Sequence, residues 1–165
     1  MTKIKICGLR REQDIRYANE LMPDYIGFVF LKGKMRYVTF EEAAHLRSLL
    51  DPAIPAVGVF VNEPAENVIR LLQAGTIQIA QLHGQEDEAY AEELRRAGDH
   101  CIIRAFAVRS TEAIHRAFAF PADYPLLDNG KGTGETFDWS LFQEQEKPFF
   151  LAGGLSPENV KEAIE

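Results

Sequence analysis

The chain predicts an α/β fold, a (β/α)8 barrel of parallel strands with helices outside, on three observations. Seven short β-type runs recur about every 24 residues, as a chain of βα units would. Most of these runs are near-continuously apolar, the mark of strands covered on both faces in a parallel sheet. The segments between them carry helical spacing. Eight such units would total roughly 190 to 200 residues, the lower end for a barrel. A doubly wound open sheet would more often show a glycine-rich fingerprint after its first strand, where this chain has Cys7-Gly8-Leu9-Arg10.

In order, the first strand is read at Ile4 to Cys7, followed by a helix with Ile15, Ala18 and Met22 on one face. The second strand runs from Tyr25 to Phe30. Thr39 with Glu42 forms a capping box that starts a helix carrying Ala43, Leu46 and Leu50 inward. Strands follow at Ala56 to Val61 and Ile77 to Leu82, then a helix with Tyr90, Leu94 and Ala97 on its apolar face. The last strands are Cys101 to Phe106, Pro125 to Asp128 and Phe149 to Ala152, and Ser156 before Pro157 caps a closing helix. No linker or low-complexity stretch interrupts the series, so residues 1–165 are expected to form a single barrel domain. Only seven units can be counted, and a closed barrel needs every strand edge paired. The eighth strand and helix are therefore expected to be missing, leaving the domain incomplete at its C-terminal end.

Composition narrows the function. With 165 residues, 46% of them hydrophobic, the chain can bury a substantial core. A net charge of −7, with Lys and Arg dispersed along the chain, argues against a nucleic-acid partner, so an anionic ligand must be held by local groups. No run approaches the roughly 20 apolar residues of a membrane span, and the sequence enters its first strand without a signal-peptide pattern. A cytoplasmic location is expected, with no membrane partner. Cys7 and Cys101 suit neither a disulfide framework nor a zinc site. No metal or cofactor is expected.

Barrels place their chemistry at the C-terminal ends of the strands and in the loops beyond. Cys7 closes the first strand, Arg36 lies in the loop after the second, His83 follows the fourth and Asp128 ends the sixth. Cys101 opens the fifth strand at the opposite end and reads as a structural thiol. Gly153 and Gly154 lie between a strand and a capped helix, where backbone amides can converge on a phosphate, or they form an ordinary turn. Asp128 precedes Asn129-Gly130-Lys131-Gly132-Thr133-Gly134, which has the composition of a site-covering loop. Arg36 has the planar fork that binds a carboxylate, though a loop arginine is often merely solvated.

Together the segments KICGLR (5–10), MRYVT (35–39), VGVFVN (57–62), QLHG (81–84), IRAFAV (103–108), LLDN (126–129) with GTGETFDW (132–139), and LAGGLSPENV (151–160) resemble the phosphoribosylanthranilate isomerase family. The resemblance covers every βα unit present. It implies an Amadori rearrangement of N-(5-phosphoribosyl)anthranilate to carboxyphenylamino-deoxyribulose phosphate, without a cofactor, with this small molecule as the partner. It implies Cys7 as general base and Asp128 as general acid. Arg36 would then hold the anthranilate carboxylate, the Gly153 and Gly154 amides the phosphate, and His83 would line the site. Asn129 stands where the family commonly has serine.

Two other readings remain at this point. One is an inactive or partner-completed barrel fragment, motivated by the open strand edges. The other is a different sugar-phosphate isomerase on the same fold, since fold alone does not fix function.

Overall fold

A computed structural model of the protein describes residues 1–129, 139 and 147–164. By its internal contacts the chain divides into two compact units, Met1–Ile102 and Ile103–Glu165.

The first unit contains β1 (Lys5–Cys7), α1 (Glu12–Leu21), β2 (Tyr25–Val29), α2 (Phe40–Leu49), β3 (Ala56–Phe60), α3 (Ala65–Gln73), β4 (Ile79–Leu82) and α4 (Glu88–Arg96). Its strands are parallel neighbours in chain order, with Cys7 opposite Gly27, Gly27 opposite Val57 and Val57 opposite Ile79. Parallel pairing requires a crossover between strands, and the helices supply it. Each helix brings a short apolar stripe to the core: Ile15 and Ala18 from α1, Ala43 and Leu46 from α2, Val68, Leu71 and Leu72 from α3, Ala91 and Leu94 from α4. Burying each larger side chain contributes about 2 kcal/mol. Phe30, just past β2, stacks on Phe60 with centroids 5.0 Å apart and meets Phe40 edge-on at 5.3 Å.

Helix starts follow local chemistry. The expected capping box is present: Thr39 Oγ1 accepts from the Glu42 N–H at 3.1 Å, and Glu42 Oε2 accepts from the Thr39 N–H at 2.7 Å. Asp87 caps α4 through the Tyr90 N–H at 2.9 Å. At α1 the Asp14 carboxylate reaches back to the N–H groups of Arg10 and Arg11, both at 3.0 Å.

The second unit contains β5 (Cys101–Ala107, most of it), α5 (Thr111–Ala119), β6 (Tyr124–Asp128), β7 (Phe150–Leu151) and α6 (Val160–Ile164). β6 pairs in parallel with β5 on one side and β7 on the other. Val108, Ile114, Ala117 and Leu127 form its core, with Phe106 and Phe118 packed against them.

Several boundaries differ from expectation. Ile77 is buried, but its N–H bonds to Leu71 O, so it closes the turn after α3 and β4 starts only at Ile79. Met22 was expected on the inner face of α1; instead it ends the helix in a left-handed conformation (φ 48°), half exposed, with its N–H on Ala18 O. Ser156 caps a turn before α6, its carbonyl accepting the Val160 N–H at 2.9 Å, so regular helix begins three residues beyond Pro157.

Candidate active site

In a strand, residues two apart share a face. On β1 this joins Lys5 with Cys7, and on β4 it joins Gln81 with His83, which lies one residue past the strand.

Cys7 is half-buried at the C-terminal end of β1. The chain turns sharply after it, the N–H groups of Gly8 and Leu9 both donating to Gly27 O at 2.8 and 3.2 Å. Gly27, opposite Cys7 on β2, leaves room for the thiol: a Cβ there would come within 2.7 Å of Sγ. Gly8 has φ +91°, a region that disfavours side chains. The Arg36 Cδ lies where a Gly8 Cβ would stand, and Arg36 Nη1 donates to Cys7 O at 3.2 Å. The expected thiol and arginine are therefore adjacent, with the exposed guanidinium laid over the turn that follows the thiol.

His83 is anchored by its N–H on Phe60 O at 2.8 Å. Its Nδ1 lies 2.9 Å from Gln81 Nε2, and Gln81 Oε1 accepts from Lys5 Nζ at 2.9 Å. The loop carrying His83 is pinned by Glu86, which is 5% exposed and accepts from the N–H groups of Asn62 at 2.6 Å and Gly84 at 2.8 Å. Asn62 Oδ1 in turn accepts from the Gln85 N–H at 2.7 Å. A cleft of about 320 Å³ lies beside this clamp, lined partly by Glu63, Glu86, Asp87 and Tyr90. Burial, with help from Glu86, Glu63 and Glu93, pushes the Tyr90 phenol well above its ordinary value. The phenol keeps its proton and donates to Glu63 O at 2.7 Å.

In the second unit Asp128 ends β6, its carbonyl accepting the Val108 N–H at 2.8 Å. One Asp128 carboxylate oxygen occupies the space a Gly153 side chain would need, so acid and glycine turn are in contact. Gly153 and Gly154 both have positive φ, +88° and +69°, conformations that favour glycine. Asn159 Nδ2 donates to Gly154 O at 2.8 Å and fixes the far side of the turn. Of the expected covering loop, Gly130 to Gly134 lie outside the described residues.

Sequence reading missed Lys5, Gln81, Glu86, Asn62 and Gly27. The signal for the first two was a lysine and a glutamine in runs that are otherwise apolar. Among the described residues no group of three His, Cys, Asp or Glu side chains is arranged to hold a metal. No described helix is long and apolar enough to cross a membrane.

The family model for N-(5'-phosphoribosyl)anthranilate (PRA) isomerase matches residues 4–165. The isomerase of that name from Endomicrobium trichonymphae is 45% identical over 99% of this chain and 82% of its own. The one from Thermoanaerobacter sp. is 42% identical with the same coverage. Among solved structures, the Thermus thermophilus phosphoribosyl anthranilate isomerase superposes with a TM-score of 0.87 at 34% identity, covering 99% of this chain and 82% of that one. A phosphoribosyl anthranilate isomerase in complex with reduced 1-(o-carboxyphenylamino)-1-deoxyribulose 5-phosphate gives a TM-score of 0.81 at 32% identity, covering 99% and 81%. These likenesses bear out the α/β class and the (β/α)8-type fold expected from the strand spacing.

Proposed function

The chain belongs to the N-(5'-phosphoribosyl)anthranilate isomerase family, and from that premise we propose that Cys7 and Asp128 divide the proton transfers of its reaction. The activity is an aldose–ketose isomerisation in tryptophan biosynthesis.

Chemistry demands an acid and a base. Protonation of the furanose ring oxygen by the Asp128 carboxyl lets the C1–O bond break, and the anthranilate nitrogen takes up the cation as an iminium. That electron-poor centre acidifies the C2 proton, which the Cys7 thiolate removes. The resulting enolamine tautomerises to the aminoketose. The division needs the thiol as thiolate and the carboxyl as acid, so that one takes the proton and the other gives it.

Three observations support these roles. Cys7 and Asp128 each sit at the C-terminal end of their own strand, where this fold carries its chemistry. Arg36 is held beside Cys7, placed to fork onto the substrate carboxylate. Gly153 and Gly154 form a positive-φ turn after β7, where this fold binds phosphate. His83 lines the substrate site. A fourth observation carries the reading: the space that Gly27 reserves for the Cys7 thiol.

We place the enzyme in the cytoplasm, acting on a small molecule without a cofactor. The test is turnover of phosphoribosylanthranilate by Cys7→Ala and Asp128→Asn proteins. Each is expected to fold and to lose rate by orders of magnitude, and near-normal turnover in either rejects the role given to that residue.

A further inference from the structure

We propose that Lys5, acting through Gln81, sets the tautomer of His83, so that the neutral ring carries its proton on Nε2 and meets the substrate as a hydrogen-bond donor. The donor role rests on the reading that His83 lines the substrate site; the tautomer does not.

The argument runs in one direction along three side chains. A lysine ammonium has donors and no acceptor, so the Gln81 atom facing Lys5 Nζ at 2.9 Å must be the amide oxygen. The opposite orientation would set an NH2 group against an NH3⁺ group. With the oxygen committed, the planar amide turns its Nε2 toward His83 Nδ1, also at 2.9 Å. That NH2 has only protons to offer, so Nδ1 must present its lone pair. In a neutral imidazole the proton then resides on Nε2.

Burial enforces the arrangement. Gln81 is 3% exposed, so an amide rotated away from either neighbour would leave buried polar atoms unmatched. The strand faces supply the alignment, because Lys5 precedes Cys7 by two residues and Gln81 precedes His83 by two. The ammonium at one end polarises the amide and strengthens its donation. In this tautomer Nε2 cannot take a proton; it suits an acceptor oxygen, such as a carboxylate, hydroxyl or phosphate of a sugar phosphate. Lys5 and Gln81 are positioning residues, acting through His83.

The test reads the tautomer directly, in the full chain without substrate. Protein carrying 15N-histidine is examined by long-range proton–nitrogen correlation at a pH where the ring is neutral. Loss of one ring's signals in His83→Asn assigns His83 among the four histidines. The expected result is a proton on Nε2. In Gln81→Glu the new carboxylate can still accept from Lys5 and now accepts from Nδ1–H, so the proton is expected to move to Nδ1. In Lys5→Met the amide is released from its one orientation, and signals of both tautomers are expected. A wild-type proton on Nδ1, or an Nε2 proton unmoved in Gln81→Glu, overturns the proposal.

Steady-state kinetics then tests the site. The switched ring of Gln81→Glu is expected to raise KM for phosphoribosylanthranilate about tenfold, the worth of one hydrogen bond, with a smaller change in kcat. A switched tautomer with unchanged KM removes His83 from the substrate site and leaves the relay standing.

Discussion

Arg36 Nη1 donates to the carbonyl oxygen of Cys7 at 3.2 Å, so the end of β1 and the loop after β2 are joined through the backbone of the residue that bears the thiol. A side chain that is long and flexible in isolation is thereby held in place, and in the substrate-binding role proposed for it this would cut the ordering cost of binding.

Arg36→Ala is expected to raise KM for phosphoribosylanthranilate roughly ten- to hundredfold, the usual worth of a charged hydrogen-bonding partner, while kcat falls less. Steady-state kinetics measures the split. An unchanged KM would instead favour a substrate lacking the anthranilate carboxylate.

Gly8→Ala attacks the same junction from the backbone. At φ +91° a side chain is strained, and its Cβ would collide with the Arg36 stem. The expected cost is about 1–3 kcal/mol in urea unfolding, together with a KM rise in the direction of Arg36→Ala. A variant as stable as its parent, with the same KM, would show that the turn tolerates a side chain and that Arg36 does not depend on it.

Glu86→Ala removes the buried acceptor of two loop N–H groups, those of Asn62 and Gly84. A loss of about 2–4 kcal/mol is expected, with faster amide exchange at both positions. Exchange rates equal to the parent's would mean the loops are held by other contacts.

Asp14 gives a pH signature. Its hydrogen bond to Arg11, 2.6 Å at the closest approach, and its bonds to the Arg10 and Arg11 amides hold the carboxyl below its ordinary value. A folded-state value below the unfolded one stabilises the fold above the unfolded value, about 3.9, and that contribution disappears as pH falls through the folded value. Asp14→Asn is therefore expected to lower Tm at pH 7, and the gap to the parent should close below about pH 4. A gap independent of pH would assign the effect to something other than the charge.

The strand centres were legible because a buried parallel strand writes its environment as a continuous apolar run, as in Ala56–Phe60, where every residue is buried. Boundaries were less so. The run from Ile77 reads as strand throughout, yet its first N–H is taken by Leu71 O, a bond no local pattern announces. The helix Ala65–Gln73 follows the same rule, with Ala65, Val68, Leu71 and Leu72 at helical spacing behind Pro64. The candidate residues at strand ends were singled out by position and by motif together. The long-range contacts around them were not, because Lys5 for Gln81, Asn62 for Glu86 and Arg36 for Gly8 lie on other elements and meet them only once the strands are side by side.

Gly27 has no functional group, yet it sets how much freedom the neighbouring sulfur has to rotate. A single methyl at position 27 would crowd Sγ without changing the chemical identity of residue 7. The orientation of this thiol is thus constrained from the adjacent strand, which offers protein engineers a dial for its aim that leaves residue 7 itself unaltered.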